Sequence, residues 1–321
     1  MNSPEPMRTM GPRMGRDDTR GGAHTTRATT IGGVPSHTRA LPPPDGSLTR
    51  TMRRAQALLI DLDGVMVQAG RVLPGAAEAL AELDRRQVPY LVATNTSVIS
   101  RVALAARMAS RGLHVDPTRI VSALSVTAEL TARRYPDGPL LVLSSDDARR
   151  EFAGQRLLPP TDEADERAGC AAVVIGDAAE ALSFANLDRA FRLVRGGARL
   201  IAMHRNPWWV TEQGPTLDAG AFVVGLEFAT RRRALVGGKP SPVFYAAALR
   251  TLGRPAAEVV MIGDDLQADV AGARRAGLRA VWVRTGRHQA PDLARHVARG
   301  EPPPDAIAAD FAAVVAAMRE R

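Results

Sequence analysis

The sequence predicts an α/β protein with a Rossmann-like, doubly wound parallel sheet as its core and a second α/β domain inserted into it. From residue 57 onward, short apolar runs rich in Val, Ile and Leu alternate with segments of helical period. This alternation is typical of parallel strands joined by helical crossovers. The first and last of these blocks both place acidic residues directly after apolar runs. We therefore assign those two blocks to one discontinuous domain and the middle block to an insertion.

Four segments follow from this reading. Residues 1–50 are rich in Arg, Thr, Gly and Pro and have no apolar period, so we predict a disordered basic tail. The core is expected over 51–136 and 233–321, and the inserted domain over 137–232.

Local patterns predict each element in chain order. The apolar run 57–62 has the length of a buried strand, and Pro74 occupies the first-turn position that favours a helix over 75–86. The other elements predicted in the first block are a strand at 90–93, a helix from Ser97 or Ser100 to Arg111, a strand near 119–122 and a helix over 124–134. Those in the insertion are strands at 140–143, 171–175 and 200–203, with helices near 146–153, 184–195 and 220–231. Those in the last block are a helix over 242–252, a strand at 259–262, a helix over 267–276, a strand at 280–283 and a helix over 307–319.

Composition excludes several classes of protein. The net charge is +8, but residues 1–54 carry nine arginines and four acids, so most of the excess lies in the tail and we expect no nucleic-acid binding by the folded part. No apolar stretch is long enough to predict a membrane span. The single cysteine, Cys170, excludes an internal disulfide and fits a cytoplasmic protein.

The most informative segment ends the first predicted strand, where Asp61 and Asp63 precede Gly64. Clustered carboxylates are costly unless a cation or a reaction uses them. A strand followed by a simple Asp-Gly turn is the alternative interpretation of this segment alone.

Further polar residues follow other predicted strands, and the carboxyl ends of parallel strands meet at one crevice. Thr94 and Asn95 end the second strand, and Asp264 ends a later one with Asp269 five residues on. Lys239 precedes a helix, and it is the only lysine among 42 Lys and Arg residues. A site that needs a compact ammonium would retain lysine where the rest of the chain uses arginine.

This set of residues is typical of a phosphoryl-transfer site. Asp61, Asp264 and Asp269 suit a hard cation such as Mg²⁺, with which Asp61 attacks phosphorus. Asp63 then acts as general acid and base. The groups expected to hold or neutralise phosphoryl oxygens are the Thr94 hydroxyl, the Asn95 backbone N–H and the Lys239 ammonium.

These residues resemble the four motifs of the haloacid dehalogenase (HAD) superfamily of phosphatases. The matches are Asp61-x-Asp63-Gly64, Thr94-Asn95, Lys239-Pro240 and Gly263-Asp264-Asp265-x-x-x-Asp269. The resemblance implies that Asp61 is the nucleophile and Asp63 the acid/base. It also implies magnesium ligation by the side chains of Asp61 and Asp264, by the backbone carbonyl of Asp63, and by Asp269 directly or through water. Asp265 would contribute to magnesium binding at most indirectly.

The position of the insertion resembles one subclass. Thr94 and Lys239 are 145 residues apart, which leaves room for a lid of the C2 cap class, type A, as in the NagD-like phosphatases of subclass IIA. The sequence segments at 93–97, 217–222, 238–242 and 260–265 are most similar to those of the phospholysine phosphohistidine inorganic pyrophosphate phosphatase group. That group often has serine at the position of Asp63, and this departure favours an ordinary phosphomonoesterase.

The lid is expected to select a small phosphorylated metabolite. Its candidate contacts are His204, Arg205, Asn206, Trp208, Trp209 and Asp218. The adjacent tryptophans, expected on a loop, would either stack on a substrate ring or seal the cap against the core, and we favour the seal. The resemblance also implies a possible homodimer through the cap.

Other functions remain open on the sequence alone. A dehalogenase shares the Asp61 nucleophile but does not need the metal acids, and a phosphomutase shares the acids but needs a lid that excludes water. A pyrophosphate or phosphohistidine phosphatase follows from the group resemblance. A catalytically retired protein that binds partners through the basic tail is a further alternative. The intact acids, Thr94 and Lys239 favour the metal-dependent phosphatase.

Overall fold

Two parallel sheets dominate the computed structural model, which describes residues 44–159, 169–178, 180–211 and 214–318. The strands in chain order are β1 (Ala57–Ile60), β2 (Val67–Gln68), β3 (Arg71–Val72), β4 (Tyr90–Thr94), β5 (Ile120–Ser122), β6 (Leu140–Leu143), β7 (Ala172–Ile175), β8 (Arg199–Ala202), β9 (Trp208–Thr211), β10 (Gly214–Leu217), β11 (Leu235–Val236), β12 (Val259–Gly263), β13 (Arg279–Val283) and β14 (Ala306–Ala308). The α-helices are α1 (Pro44–Arg53), α2 (Ala76–Arg85), α3 (Arg101–Ala109), α4 (Ala123–Arg134), α5 (Asp146–Arg149), α6 (Phe184–Arg195), α7 (Ala219–Thr230), α8 (Pro242–Leu252), α9 (Gly272–Arg275), α10 (Ala290–Ala298) and α11 (Phe311–Ala317).

The core sheet has the strand order β14-β13-β12-β1-β4-β5, and all its described pairs are parallel. β1 lies between β12 and β4, so that Leu59 is level with both Met261 and Leu91. Successive side chains of β1 enter different apolar clusters, Leu58 on one face of the sheet and Leu59 on the other. Helices cover both faces, which explains why these strands are apolar throughout.

The cap sheet has the order β11-β8-β7-β6 and is also parallel. Its side chains pack in two further apolar clusters, for example Val173 under α6 and α7 and Val174 on the opposite face. The core and the cap are therefore both parallel α/β layers, as the sequence predicts.

Two predicted boundaries need correction. Helix α1 crosses the predicted end of the tail at residue 50, because Leu48 and Met52, one turn apart, are buried in the core. Residues 1–43 lie outside the described residues. Strand β11 pairs with β8, so the cap sheet extends past the predicted limit at residue 232. A strand of two residues is too short to give a period in the sequence.

Several element types also differ from the prediction. The expected helix over 267–276 is a π-helical turn at Leu266–Ala271 followed by α9. The expected helix over 307–319 contains β14 before α11, since a short apolar run does not distinguish strand from helix. The β2–β3 hairpin and α10 were not predicted, and Ser100 rather than Ser97 caps α3.

The tryptophan segment of the cap is a strand and not the expected loop. Trp208 and Trp209 belong to β9, which pairs antiparallel with β10. Of the residues that the structure describes, none lies in a helix long and apolar enough to cross a bilayer.

Candidate active site

The carboxyl edge of the core sheet brings the predicted acids together. Asp61 directly follows β1 and Asp264 directly follows β12, and these two strands are neighbours. Thr94 is the last residue of β4, on the other side of β1. Because parallel strands end at the same edge, Thr94 and Asp264 lie beside Asp61, although they are 33 and 203 positions away from it in the sequence.

Three buried carboxylates form the centre of the site. One oxygen from each of Asp61, Asp264 and Asp269 lies within 4.8 Å of the other two. Asp269 is supplied by the π-helical turn Leu266–Ala271 and is completely buried. Single π-turns are frequent at functional sites because they redirect a side chain.

Lys239 joins two of these acids. Its Nζ lies 2.8 Å from Asp61 Oδ1, 2.7 Å from Asp269 Oδ1 and 2.8 Å from the carbonyl oxygen of Ala93. Three acceptors match the three protons of an ammonium. Burial disfavours the charged form, but Asp269 and Asp61 outweigh this effect and raise the pKa of Lys239. The only lysine of the chain is therefore a fixed positive charge.

Asn95 fixes the backbone on which Lys239 is carried. The Asn95 Nδ2 donates to the Lys239 carbonyl at 3.0 Å, and its Oδ1 accepts the Lys239 N–H at 2.8 Å. A β-carbon at Gly238 would lie 2.6 Å from that Oδ1. The Asn95 side chain thus has a structural partner, while phosphate binding by its backbone N–H stays a prediction.

Thr94 is buried next to the acids. Its Oγ1 accepts a hydrogen bond from the Thr96 N–H at 3.1 Å and lies 3.0 Å from the Thr96 hydroxyl. These contacts hold the hydroxyl in one orientation at the end of β4. Its proposed contact with a phosphoryl oxygen stays a prediction.

The acids carry raised pKa values because the site is buried and crowded. Burial, opposed by Lys239, raises the pKa of Asp61 to about 6. Burial and the neighbouring Asp269 raise the pKa of Asp264 to about 7. Burial and Asp61 also raise the pKa of Asp269, despite its bond to Lys239. One lysine does not balance three carboxylates, so the cluster favours a further cation.

The donor set fits a hard divalent cation. Carboxylate oxygens are the ligands preferred by Mg²⁺. Asp269 already accepts hydrogen bonds on both oxygens, from Lys239 Nζ at 2.7 Å and from the Asp265 N–H at 3.0 Å. Asp61 and Asp264 therefore offer the more accessible oxygens.

Asp63, two residues after Asp61, is exposed to solvent. The surrounding protein nevertheless displaces enough water to raise its pKa, against the opposing effects of Lys239 and Arg107. Gly64 follows with φ 81°, and a β-carbon there would lie 2.5 Å from an Asp264 oxygen. The glycine after the two acids is thus needed both for the turn and for the close approach of Asp264.

Asp265 lies outside the acid cluster. Its Oδ1 accepts hydrogen bonds from the N–H groups of Gln267 and Ala268, both at 2.8 Å, and caps the π-helical turn. Its own N–H holds Asp269. Asp265 therefore helps to fix the position of Asp269 and is not itself part of the acid cluster.

The cap residue His204 is buried at the junction with the core. Its Nδ1 accepts the Asn206 N–H at 3.3 Å, so that Nε2 carries the proton and faces Ser97 Oγ at 2.9 Å. Asp218 Oδ1 is 3.6 Å from the same nitrogen. Burial lowers the pKa of His204 to about 4, and Asp177 opposes this shift.

The other predicted cap residues divide into two groups. Arg205 pairs with Glu227 of α7 at 2.8 Å, and Asp218 caps the same helix, so both organise the cap. Asn206 Oδ1 reaches Asn95 of the core at 3.5 Å. Trp208 and Trp209 are both 44% exposed. Direct contact of any of these residues with a substrate stays a prediction.

The sequence interpretation missed Arg287 and Gly286. The Arg287 N–H donates to Asp264 Oδ2 at 3.1 Å, and its guanidinium carbon lies 5.9 Å from the centre of the Trp208 ring. A β-carbon at Gly286 would lie 1.8 Å from Asp264 Oδ2. Their only signal in the sequence is a Thr-Gly-Arg turn at the carboxyl end of β13.

Comparison with known families identifies the class of this protein. Residues 58–157 match the haloacid dehalogenase-like hydrolase family, and residues 236–314 match the HAD-hydrolase-like family. The chain is 36% identical over 242 residues to haloacid dehalogenase-like hydrolase domain-containing protein 2 of Bos taurus, which covers 75% of this chain and 89% of that protein. The chain therefore belongs to the haloacid dehalogenase-like hydrolases.

Several relatives with named activities are phosphatases. The phospholysine phosphohistidine inorganic pyrophosphate phosphatase of Homo sapiens is 32% identical over 244 residues, covering 74% of this chain and 86% of the relative. The p-nitrophenyl phosphatase from Archaeoglobus fulgidus has a TM-score of 0.75 at 28% identity and covers 82% of this chain and 99% of its own. Glycerol phosphate phosphatase from Mycobacterium tuberculosis, solved in complex with magnesium, has a TM-score of 0.72 at 26% identity and covers 82% of this chain and 77% of its own. The fold, the site and these relatives together identify the chain as a phosphatase.

Proposed function

We propose that the chain is a magnesium-dependent phosphatase that hydrolyses a small phosphorylated metabolite through a phosphoryl group carried on Asp61. The observation that supports this proposal most directly is the position of Asp61, buried beside Asp264 and bonded to Lys239 at 2.8 Å. A buried carboxylate next to a fixed cation is held in one orientation for attack.

In the first step, Asp61 attacks phosphorus. Both hydrogen bonds that the structure shows on Asp61, from Lys239 Nζ and from the Leu62 N–H at 2.8 Å each, reach Oδ1. Oδ2 is therefore the oxygen available to form the new P–O bond. The bond between phosphorus and the leaving oxygen breaks, and Asp63 gives that oxygen its proton.

In the second step, water regenerates the carboxylate. Asp63, now ionised, takes a proton from a water molecule, whose oxygen attacks the phosphorus of the aspartyl phosphate. The P–O bond to Asp61 breaks and inorganic phosphate leaves. The raised pKa of Asp63 suits an acid that must carry a proton in one step and accept one in the next.

Magnesium would be held by Asp61 and Asp264, with the Asp63 carbonyl and Asp269 as the further contacts implied by the family. When bound, it offsets the negative charge of the carboxylates and the phosphoryl group. In this proposal Lys239, bonded to Asp61 at 2.8 Å, stabilises the same charge, and the buried Thr94 hydroxyl would bind a phosphoryl oxygen.

The first experiment compares phosphate release from p-nitrophenyl phosphate by the wild-type chain and by Asp61→Asn, with magnesium and with a chelator. We expect activity only for the wild type with magnesium. Asp137→Asn, an exposed acid remote in sequence from the motifs, is the matched control and should retain activity. Activity of Asp61→Asn equal to the wild type would contradict the assigned nucleophile.

A second variant separates the two steps. Nitrophenolate leaves without a proton, so Asp63→Asn should still transfer the phosphoryl group to Asp61 but should hydrolyse it slowly. Intact-mass measurement after acid quenching should therefore show one added phosphoryl group in Asp63→Asn and none in Asp61→Asn/Asp63→Asn. No adduct in either protein would argue against the covalent step. Inorganic pyrophosphate as a parallel substrate tests the activity named for the human relative.

A further inference from the structure

A short loop between β13 and α10, residues 285–288, is fixed to the acid site at three points. The Thr285 hydroxyl donates to the Gly64 carbonyl at 2.5 Å, and the Arg287 N–H donates to Asp264 Oδ2 at 3.1 Å. The His288 Nδ1 lies 3.3 Å from the Asp264 carbonyl. We call residues 285–288 the Arg287 loop. Its backbone cannot move without disturbing Asp264.

The Arg287 side chain extends from this loop toward the cap. Its guanidinium carbon is 5.9 Å from the centre of the Trp208 ring, within the range of a cation–π contact. Its Nε is 3.8 Å from Asp265 Oδ2, which is too long for a hydrogen bond. The side chain is 44% exposed, and no described residue is shown to accept a hydrogen bond from its guanidinium. The guanidinium is thus held in place while its donors remain available.

Contacts of the Arg287 loop place it between the acid/base segment and the cap. On the core side, Thr285 is bonded to the carbonyl of Gly64, the residue that follows Asp63, and the Arg287 N–H is bonded to Asp264. On the cap side, the Arg287 guanidinium lies 5.9 Å from the Trp208 ring. Because Asp63 protonates the leaving oxygen in the proposed mechanism, we expect the leaving group to extend toward Arg287.

The chemistry of arginine indicates what that leaving group carries. Covering a guanidinium whose N–H donors find no acceptor among the described residues is costly, because those donors lose their hydrogen bonds to water. A carboxylate or phosphate would take two parallel hydrogen bonds from the guanidinium and remove that cost. The adjacent Trp208 ring covers one face of the guanidinium and leaves its edge for such a contact.

We propose that Arg287 is a specificity-determining residue that binds a second oxyanion on the leaving group of the substrate, with Trp208 orienting it. This inference rests on the proposed phosphatase function and names its substrate class: phosphate monoesters whose leaving group carries a carboxylate or a further phosphate. Arg287 is separate from the groups that hold the transferred phosphoryl group.

Matched substrates test this assignment in the full-length chain with magnesium. Alkyl phosphates of two to five carbons are compared with carboxyalkyl phosphates and alkane bisphosphates of the same length. The wild type should prefer one anionic series by about tenfold or more in kcat/KM. The two anionic series show whether carboxylate or phosphate is the source of the oxyanion.

The Arg287→Gln variant should lower kcat/KM for the preferred anionic series about tenfold more than for the alkyl series, mainly through KM. Arg287→Lys keeps the charge but not the planar fork and should retain part of the preference. Arg284→Gln, an exposed arginine three positions earlier, removes the same charge and should retain the full preference.

The outcomes separate this inference from the proposed function. Hydrolysis of all three series at equal kcat/KM by the wild type would overturn the inference and leave the phosphatase function intact. An equal loss on all series in Arg287→Gln would also overturn it, since that result indicates a role in folding or cap closure alone. No hydrolysis of any series by the wild type would remove both proposals.

Discussion

The core and the cap are both parallel sheets, yet the buried polar groups at their carboxyl edges differ in charge. The core edge concentrates the carboxyl groups of Asp61, Asp264 and Asp269 around one ammonium. Near the cap edge, His204 contacts Ser97 and Asp218 and carries a pKa lowered to about 4 by burial. At neutral pH the histidine is uncharged.

This difference separates a reactive site from a structural junction. The core keeps more buried negative charge than Lys239 balances, which favours the binding of a cation. Burial raises the pKa of Asp61, Lys239 opposes this shift and Asp264 adds to it. The cap junction avoids a charged histidine and uses hydrogen bonds between Ser97 of the core and His204 of the cap. Burial alone does not predict chemistry, whereas unbalanced buried charge does.

The largest effect is expected for Lys239→Met, which removes the positive charge from the core edge. We expect kcat/KM to fall about 10³-fold or more, since Lys239 contacts the nucleophile at 2.8 Å. Loss of the ammonium raises the pKa values of Asp61 and Asp269 further. A carboxyl group whose pKa is raised in the folded state contributes its full stabilisation at pH values below its unfolded pKa near 3.8. This contribution is lost as pH rises through the folded-state pKa. Urea unfolding should therefore show a larger destabilisation at pH 8 than at pH 5.

The control for this variant is Lys239→Arg, which retains the charge. The wide guanidinium does not fit three acceptors placed 2.7–2.8 Å from one nitrogen in a buried site. Activity should be lost as in Lys239→Met, with a weaker dependence of stability on pH. Full activity of Lys239→Arg would show that a compact ammonium is not required.

A smaller loss of activity is expected for Gly286→Ala. The added β-carbon would lie 1.8 Å from Asp264 Oδ2, so either the loop or the carboxylate must shift. A displacement of about 1 Å at a reacting centre costs about 10²-fold in rate. Steady-state kinetics and a magnesium titration should both show weaker function. Wild-type values in both would show that the loop accommodates the β-carbon without disturbing the function of Asp264.

His204→Gln tests the neutral junction of the cap. The pKa of His204 is lowered from 6.5 to about 4, so its contribution to stability is complete above pH 6.5 and is lost as pH falls toward 4. At pH 5 this loss is about 2 kcal/mol. Urea unfolding at pH 7 and pH 5 should show that the wild type loses more stability than His204→Gln over this interval. An equal loss in both proteins would mean that His204 is protonated in the folded state.

The smallest effect is expected for Gly225→Ala in α7, which makes in the cap the same substitution that Gly286→Ala makes in the core. Among the described residues, no atom lies within 4 Å of the added β-carbon apart from its chain neighbours and the backbone of its own helix, and the position is exposed. Alanine should raise the free energy of unfolding by about 0.5–1 kcal/mol through helix propensity. Urea unfolding measures this change. Destabilisation instead would indicate that another surface covers this face of α7, which the expected homodimer through the cap would provide.

Much of the fold could be predicted because the signals are local. The strands at 140–143 and 259–262 are apolar runs bounded by turn residues, and the structure places strands there. The predictions failed where tertiary contacts decide the element. β11 is a strand only because it pairs with β8, and α1 crosses the predicted tail boundary because Leu48 packs into the core. A window of sequence contains neither partner.

The site shows the same division. The acids and Lys239 could be named because residue type, order and position after a strand carry the signal. The contribution of Arg287 could not be predicted, because an arginine in a turn is not distinctive in a chain with so many arginines. Only its distances to Asp264 and Trp208 distinguish it.

The amino-acid sequence by itself determined the class of fold, the family and the set of chemical groups, because strand periodicity and the order of the motifs are written along the chain. Only the tertiary structure decided which oxygens of Asp61 and Asp269 are engaged, that Asn95 fixes Lys239, and that His204 is neutral. The physical reason is that hydrogen-bond partners and pKa values depend on burial and on neighbours distant in sequence.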